Sequence, residues 1–490
     1  MEYENPPAES TIATQGIVVN RVFTKPETSV YDMFAYDLRT STIRNPDGSV
    51  VFDMKNVEVP KQWSQIATDI LAQKYFRKAG VPEVGSESSI KQVVHRMVGC
   101  WTDWGTKFGY FNSSKDSKAF YEEMAFILLN QMGAPNSPQW FNTGLNYAYG
   151  ITGNPQGHYY IDPKTGTLTQ SPDAYSRPQP HACFILSVRD DLVNEGGIFD
   201  LVTREARIFK YGSGVGTNFS SIRGKGETLS GGGSSSGLMS FLKINDTSAG
   251  SIKSGGTTRR AAKMVILDID HPEIESFIKW KASEEDKVAS LVAGSIVCKE
   301  HTNNILKAAN KHGLNLTENT KLRDAIRNAN NAKVPVQLIL RALELAKQGV
   351  GKLDMSEFDT HYEGEAYITV SGQNSNNSVR VNNDYMEALQ NNANWQLKNR
   401  TDGKLYKEVP AQKLWDDIAM SAWVSADPGL QFDSTINEWH TCPVSGRING
   451  SNPCSEYMFI DDTACNLASL NLVSFMDDNG NIDHDAIERA

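Results

Sequence analysis

The residues of this chain that could do chemistry are concentrated in 442–472, CPVSGRINGSNPCSEYMFIDDTACNLASLNL, which holds three of the six cysteines. Asn452, Cys454 and Glu456 occupy alternate positions there. Pro453 disfavours helical backbone at the residue before it, so the segment is expected to be irregular or extended, with the three side chains on one face. An amide that can bond a hydroxyl, a thiol suited to nucleophilic or one-electron chemistry and a carboxylate that can move a proton would then lie together.

Two further cysteines fall in predicted strands. Cys465 lies in ACNLASLNL, which is typical of a strand or a buried turn, and Cys183 lies in HACFILSV, a short apolar strand over 181–188. The alternative interpretation of the whole region is a structural loop with buried thiols, because free cysteine is among the most buried residue types. Spacing alone leaves both interpretations open.

A polar loop over 134–144, APNSPQWFNTG, combines two prolines, two asparagines and the hydroxyl of Ser137. Exposed hydroxyl and amide groups in a fixed turn suit phosphate or sugar contacts, and a plain surface turn is the alternative.

The most glycine-rich stretch is 210–237, KYGSGVGTNFSSIRGKGETLSGGGSSSG. Backbone N–H groups in a glycine loop can turn toward an anion, and the helix predicted to start at its end would add its dipole. The stretch has no Walker-type sequence, and GSGVG is not the dinucleotide fingerprint. A flexible linker is the alternative, but the embedded Arg223 and Lys225 favour a nucleotide phosphate.

A second basic segment, 251–280, places Arg259, Arg260 and Lys263 in or beside a glycine loop. The strand MVILDI and a helix beginning near Pro272 are predicted to follow. A solvated charged surface is the ordinary interpretation of such a charge run.

NPCSE followed by CNLASLNL resembles the active-site segment of ribonucleotide reductase large chains, and SGGTTRRAAKM resembles the adenosylcobalamin-dependent class of that family. The matching motifs run in family order over about 134–280 and again over 371–475. The resemblance implies an α/β fold, the ten-stranded barrel built of two half-barrels, with the Cys454 loop threaded through its middle.

The resemblance also implies roles for individual residues. Cys454 would become a thiyl radical with adenosylcobalamin as the radical source, Glu456 would take the proton of the 3′-hydroxyl, and Asn452 would hold a ribose hydroxyl. Cys183 and Cys465 would supply two electrons and end as a disulfide, which a thioredoxin- or glutaredoxin-type reductant would reopen.

The implied ligands are a ribonucleoside di- or triphosphate substrate and a dNTP or ATP effector that controls specificity, with effector binding across a homodimer interface. The implied substrate-binding residues are Ser137, Ala182, Cys183, Gly214, Asn452 and Glu456. The implied effector-binding residues are Asp190, Arg223, Lys253, Arg259 and Arg260.

Composition narrows the class of protein. The chain has 490 residues, of which 39% are hydrophobic and 22% charged, as is ordinary for a globular protein with a large core. A net charge of −10 argues against non-specific polynucleotide binding. Six cysteines without a CxxC pair or a Cys/His cluster predict neither a disulfide scaffold nor a structural zinc site. Without an apolar run of about 18 residues or an apolar leader, a cytoplasmic protein with no membrane contact is expected.

The N-terminal region, 1–133, is predicted to be mixed and helical. Short strands are expected at 18–24 and 49–54, with a turn at NPDG, 45–48, and two helices at 64–80 and 119–132. The first helix should be capped by Ser64 and ended by Gly80.

The second domain, 134–490, is predicted to be a partial catalytic barrel. A helical insertion over about 281–371 is expected to contain no catalytic residue and to bury Cys298. The final residues NIDHDAIERA indicate a helix capped at Asn481 or Asp483. The C-terminal half-barrel and tail are expected to be missing, so that the chain is a fragment or one part of a split enzyme and is inactive alone.

Two rival functions are considered. The first, in the same enzyme family, is the large chain of an iron-dependent reductase. Turnover that depends on added adenosylcobalamin would exclude it. The more distant is a non-catalytic nucleotide-binding module, against which the grouping of Asn452, Cys454 and Glu456 argues.

Overall fold

The structure is a computed structural model that describes residues 16–44, 48–252, 261–361, 364–477 and 479–490. Three of the predicted effector residues, Lys253, Arg259 and Arg260, lie outside the described residues, as does most of the predicted NPDG turn.

The N-terminal region is a β-hairpin packed against helices. Its elements are β1 Tyr36–Arg44, β2 Val50–Pro60, α1 Gln65–Ile70, α2 Ile90–Lys107 and α3 Ser114–Leu129. Ser64 caps α1 as predicted, since its side chain accepts a hydrogen bond from the Ala67 amide at 3.1 Å. The helix does not reach Gly80: it continues as one π-helical turn, Leu71–Tyr75, and ends where Phe76 adopts extended backbone.

One predicted strand of this region is wrong. Residues 18–24 form no strand, because side chains of α3 satisfy their backbone amides. The amides of Phe23 and Thr24 both donate to Glu123 at 2.9 Å, and that of Val19 donates to Asp116 at 3.0 Å. The other predicted strand is confirmed as the start of β2, whose hairpin partner β1 the sequence did not reveal.

The next part of the chain builds the centre of the molecule. Its elements are β3 Gly133–Pro135, α4 Ser137–Asn142, α5 Leu145–Tyr149, β4 Tyr159–Ile161, β5 Leu168–Gln170, β6 Cys183–Ile185, α6 Ile198–Lys210, β7 Gly214–Asn218, α7 Leu238–Ser251, β8 Lys263–Asp268 and α8 Ile274–Ile278.

Four helices follow, and then the chain returns to the centre. The helices are α9 Trp280–His312, α10 Thr320–Asn331, α11 Val336–Lys347 and α12 Glu365–Thr369. The remaining elements are β9 Asn376–Val381, α13 Asn383–Gln390, β10 Asn394–Lys398, β11 Leu405–Pro410, α14 Ala411–Ser425, β12 Gly429–Phe432, α15 Asp433–Glu438, β13 Gly450–Ser451, β14 Met458–Phe459, β15 Thr463–Cys465, β16 Ala468–Leu470 and α16 His484–Arg489.

A six-stranded sheet in the order β12-β9-β8-β7-β6-β15 forms the framework. The first five strands in this order run parallel, and β15 runs antiparallel to β6. The predicted α/β class is therefore confirmed. The described residues place six strands in this sheet and do not establish a ten-stranded barrel.

The two faces of the sheet differ in character because side chains alternate along each strand. In β9, Val379 and Val381 pack with the helices in the main hydrophobic core, while Arg380 between them points to the opposite face. That face is polar, and it is the one on which the candidate site lies.

Two expectations for the basic and glycine-rich segments are corrected. Part of the glycine-rich stretch 210–237 is not a loop, because Gly214–Asn218 is the buried strand β7. Lys263 is not a loop cation: it begins β8, is fully buried and forms an ion pair with Glu205 of α6 at 2.6 Å.

The helices predicted in the insertion are present. Residues between Val297 and Leu353 pack into a hydrophobic cluster of their own. Cys298 is half-buried there rather than buried. None of the helices in the described part of the chain combines the length and apolarity needed to cross a bilayer.

Candidate active site

Two of the three site cysteines face each other across neighbouring strands. The antiparallel register of β6 and β15 sets Cys183 directly opposite Cys465. Directly opposed residues have Cβ atoms about 4.5–5.5 Å apart, close to the spacing of about 3.5–4.5 Å in a disulfide. Both residues are buried, and all six cysteines are in the thiol form.

Burial controls the protonation of this pair. It raises the pKa of Cys183 to about 12, while the neighbouring Asn452 side chain lowers that pKa and the negative charge on Glu456 adds to the rise. Burial also raises the pKa of Cys465, against hydrogen bonds from Cys183 that lower it. Both groups are therefore neutral thiols at pH 7, able to donate hydrogen but poor as thiolate nucleophiles.

The third cysteine lies at the tip of a hairpin formed by β13 and β14. Asn452 and Tyr457 close the tip, since the Tyr457 amide donates to Asn452 Oδ1 at 3.0 Å. The Ser455 amide donates to the Asn452 carbonyl at 3.1 Å, and Ser455 has a φ of +63°. The tip is therefore a tight turn rather than extended backbone, and Asn452 is buried below it, whereas Cys454 and Glu456 are exposed.

Polar side chains from the sheet hold this hairpin in place. Asn218 of β7 donates to the Asn449 carbonyl at 2.8 Å, and Asn376 of β9 donates to the Pro453 carbonyl at 2.8 Å. Two more anchors are Arg380, bonded to the Ile448 carbonyl at 2.5 Å, and Gln431, bonded to Ser451 Oγ at 2.8 Å. Sequence analysis missed all four anchors, although polar residues alternating with apolar ones in β9 were an available signal.

Glycines of β7 allow the hairpin to approach the sheet. A Cβ atom at Gly216 would lie 1.7 Å from the Ser451 carbonyl oxygen, and one at Gly214 would lie 2.8 Å from Pro453 Cγ. Glycine is needed in β7 because the backbone of another segment crosses it at this distance.

The hairpin tip and Cys183 of the thiol pair line one cavity of about 230 Å³, called the thiol cavity below, and Cys465 is not among its lining residues. Its lining includes Ser137, Ala182, Cys183, Gly214, Cys454 and Glu456. Asn452 does not line it, but the buried Asn452 Nδ2 has no hydrogen-bond partner among the described residues. The structure thus brings together residues that are far apart in the chain, with the Asn452 amide beside the Cys183 thiol whose pKa it lowers.

Ser137 enters this cavity from a short helix rather than from the predicted turn. Asn136 caps α4, and its backbone amide donates to the Leu467 carbonyl at 2.9 Å. Strand β3 pairs with β16, so the Ser137 segment is tied to the chain just after Cys465. The hydroxyl of Ser137 also bonds that of Tyr75 at 3.0 Å.

Comparison with known families agrees with this geometry. The family model described as "Ribonucleotide reductase, barrel domain" matches residues 181–490, and that described as "Class II vitamin B12-dependent ribonucleotide reductase" matches residues 37–131. The chain belongs to the ribonucleotide reductase family. Its resemblance to the vitamin B12-dependent class is confirmed.

Curated relatives of this reductase chain carry the name vitamin B12-dependent ribonucleotide reductase. The relative from Bradyrhizobium diazoefficiens is 54% identical over 93% of this chain and 40% of its own length. The relative from Agrobacterium fabrum is 53% identical over 94% of this chain and 39% of its own length. A more distant one, from Rhodopirellula baltica, is 39% identical over 93% of this chain and 38% of its own length. The chain spans about 40% of the length of these relatives.

Two predicted effector residues of the reductase chain meet away from the thiol cavity. Arg223 Nε donates to Asp190 at 2.7 Å, and Arg223 Nη1 donates to the Thr228 carbonyl at 2.8 Å. Both side chains are half-buried in the loops that follow β6 and β7. The structure therefore brings this pair together and separates it from the cysteines.

Proposed function

We propose that this chain carries the thiol chemistry of a ribonucleotide reductase that converts ribonucleotides to 2′-deoxyribonucleotides for DNA synthesis. The observation that supports this most is the register of Cys183 opposite Cys465, with Cys454 and Glu456 lining the same cavity as Cys183. A nucleotide-binding module without catalysis would not need two thiols and a carboxylate at one cavity, with a third thiol set opposite one of them.

Each residue then has a role that its position supports. The sulfur of Cys454, as a thiyl radical, takes the hydrogen from ribose C3′, and Glu456 accepts the proton of the 3′-hydroxyl. Asn452 Nδ2, which is buried without a partner among the described residues, donates to a ribose hydroxyl. Ser137, with Ala182 and Gly214, contacts the rest of the substrate.

The protonated pair completes the reduction. The 2′-hydroxyl leaves as water, and Cys183 and Cys465 together give up two electrons and two protons as their sulfurs join in a disulfide. Cys454 then returns the hydrogen to ribose C3′ and is again a thiyl radical. A thioredoxin- or glutaredoxin-type dithiol then reopens the disulfide by exchange. Burial suits this step, because it keeps both thiols protonated until they react.

Adenosylcobalamin is the cofactor that the family class implies. When bound, it would supply one-electron chemistry that no side chain can begin by itself. The exposed position of Cys454 at the rim of the thiol cavity fits such a group, because its sulfur can be reached from outside while the thiol pair stays buried.

The six-stranded sheet is proposed to be part of the ten-stranded barrel. Strands β12 and β15 lie at its two ends, and open sheet edges favour pairing with further strands. The barrel would occupy 134–490 with the insertion at about 281–371, after an N-terminal region over 1–133, and further strands would come from a C-terminal half or a separate chain.

Regulation and assembly follow the family pattern in this proposal. A dNTP or ATP effector binds near Asp190 and Arg223, together with Lys253, Arg259 and Arg260. The substrate is a ribonucleoside di- or triphosphate, a second copy of the chain completes a homodimer, and the protein works in the cytoplasm.

The first test concerns the thiol pair. On treatment with diamide, the 490-residue chain should form a Cys183–Cys465 disulfide, detected by peptide mapping, and a Cys442→Ser control should form it equally well. A chain in which Cys183 and Cys465 both stay reduced while other cysteines cross-link contradicts the proposed function.

The second test concerns turnover. This chain, extended by the remainder of the Bradyrhizobium diazoefficiens relative, should form deoxyribonucleotide only with adenosylcobalamin present. Cys454→Ser should abolish product while leaving the Cys183–Cys465 disulfide able to form. Turnover that requires iron and ignores the cobalamin would assign the chain to the iron-dependent class instead.

A further inference from the structure

A second cavity, of about 740 Å³, lies between the N-terminal region and the start of β7 and is called the basic cavity here. Residues 73–79 form one wall of the cavity, the end of α4 forms a second wall, and Lys210 lies on a third side. Among the described residues it shares no lining with the thiol cavity, since Ser137 at one end of α4 lines the thiol cavity and Phe141 at the other end lines this one.

The charge of this cavity is strongly one-sided. Within the described part of the chain, its lining contains Lys74, Arg77, Lys78, Arg96 and Lys210 and no aspartate or glutamate. Arg96 is neutralised behind the wall, because its Nε donates to Glu87 at 2.7 Å and both side chains are fully buried. Of the other cations, Arg77 and Lys210 give the wall positive charge.

The contacts of two of these cations are with neutral groups. Arg77 Nε donates to the Ala79 carbonyl at 2.9 Å, and the Arg77 guanidinium lies 5.5 Å from the centre of the Tyr175 ring. Lys210 Nζ donates to Gln156 Oε1 at 2.8 Å. Across the residues that the structure describes, neither Arg77 nor Lys210 is in an ion pair, so their charges are not cancelled locally.

Aromatic rings form the rest of the wall. Tyr75 stacks on Phe141 with ring centres 5.2 Å apart, and Tyr175 lies under Arg77. Flat rings beside cations suit a ligand that has a planar base as well as negative charge. The cavity volume is within the range of about 300–1,000 Å³ that is usual for small-molecule sites.

We infer that the basic cavity binds a polyphosphate ligand of nucleotide size. Clustered cations without carboxylates attract phosphate oxygens, and arginine can bond them through two parallel N–H groups. The inference concerns binding alone and does not depend on the proposed reductase function.

The experiment is calorimetric titration of the 490-residue chain with inorganic tripolyphosphate and, separately, with ATP. The test variant is Arg77→Gln/Lys210→Gln, and the matched control is Lys115→Gln/Lys321→Gln, which removes the same charge from exposed surface positions. Tripolyphosphate should bind the wild-type and control chains and should bind the test variant at least about tenfold more weakly. The Arg223→Gln variant should retain this binding, which separates the basic cavity from the predicted effector site.

The ATP titration distinguishes the source of the polyphosphate. ATP binding that is tighter than tripolyphosphate binding, and that the test variant loses while Arg223→Gln keeps it, assigns the aromatic wall to a nucleotide base. Equal affinities of ATP and tripolyphosphate at this site assign it to the phosphate chain alone. Equal tripolyphosphate affinity in the test variant and the wild type, or no binding by either, overturns the inference. Displacement of tripolyphosphate by adenosylcobalamin also overturns it, because the cavity would then belong to the cofactor.

A second measurement avoids relying on the fold of the variant. Pyridoxal 5′-phosphate with borohydride should label Lys74, Lys78 or Lys210 in the wild-type chain, and tripolyphosphate should protect those lysines but not Lys115. Labelling of these lysines that tripolyphosphate leaves unchanged counts against the site.

Discussion

At the scale of single residues, burial explains how one site can hold thiols with different tasks. Cys183 and Cys465 are buried, and their raised pKa values keep them as neutral hydrogen donors. Cys454 is exposed at the turn of the hairpin. In the proposed reaction, the sulfur that must be reached from outside is thus separated from the two sulfurs that must stay protonated.

A pH-dependent labelling difference follows from these pKa values. At pH 8, a thiol with a pKa of about 12 has about a thousandth of the thiolate present in one with an ordinary pKa near 9, so iodoacetamide should label Cys183 about 10³-fold more slowly than an exposed cysteine. Timed labelling with mass spectrometry measures both rates. Comparable rates for Cys183 and Cys454 at pH 8 would contradict the burial argument.

The same shift has a consequence for stability. The folded-state pKa of Cys183 is above the unfolded value, so the protonated thiol favours the folded state. This contribution is fully present below about pH 8.5 and is lost as the pH rises toward about 12. Cys183→Ala should flatten the alkaline fall in the free energy of unfolding, as measured by urea titration at pH 8 and pH 10.

At the scale of elements, the site depends on close packing of the β13–β14 hairpin backbone against strand β7. Strand β7 has glycine where the β13–β14 hairpin crosses, and β9 and β12 present polar side chains that bond the hairpin. The helix α6 is held on the sheet by the buried Glu205–Lys263 pair. Two predictions test these elements separately.

Gly216→Ala should displace the hairpin, because the new methyl group would lie 1.7 Å from the Ser451 oxygen. Overpacking of this kind costs about 1–3 kcal/mol of stability, and the Cys183–Cys465 pair should oxidise more slowly or less completely. Gly231→Ala is the matched control, since no atom lies within 4 Å of the place that its new methyl group would take. Denaturant unfolding and diamide oxidation measure the two effects, and an unchanged Gly216→Ala protein would disprove the close approach.

Lys263→Met should destabilise the fold by about 3–5 kcal/mol, because it leaves the Glu205 carboxylate buried without its cation. The double change Lys263→Met/Glu205→Leu should recover most of that loss, since both charges are removed together. Urea unfolding of the two variants gives the comparison. A single variant as stable as the wild type would mean that the pair does not hold α6 on the sheet.

At the scale of the whole molecule, the helical insertion is packed around its own centre. Its hydrophobic cluster is confined to residues between Val297 and Leu353. The two ends of the insertion lie close together, because the Phe358 amide donates to Ser295 Oγ at 3.0 Å. These contacts indicate that the sheet does not need the outer part of the insertion.

Replacing residues 296–357 by a short Gly/Ser linker should therefore leave the six-stranded sheet folded. Circular dichroism should show loss of helix, and the Cys183–Cys465 disulfide should form at the wild-type rate. Loss of cooperative unfolding in the shortened chain would show that the insertion is part of the central fold.

Much of the fold could be predicted from local patterns. Apolar runs predicted β6 and β8, and helical periodicity predicted α3 and a helical insertion, which contains α9, α10 and α11. Errors arose where a distant group decided the outcome. Residues 18–24 have the composition of a strand, but carboxylates of α3 accept hydrogen bonds from their amides. Lys263 follows a basic, glycine-rich sequence, but its ion pair with Glu205 places it in the core.

The sequence by itself determined which residues could react, because residue type and short spacing are local properties: Cys454 between Asn452 and Glu456, and Cys183 and Cys465 in apolar strands. Only the tertiary structure decided that β15 lies antiparallel beside β6, which sets the last two cysteines opposite each other. It also decided that Asn218, Asn376, Arg380 and Gln431 hold the hairpin. Strand pairing between segments so far apart in the chain depends on the packing of the whole sheet, which no local pattern records.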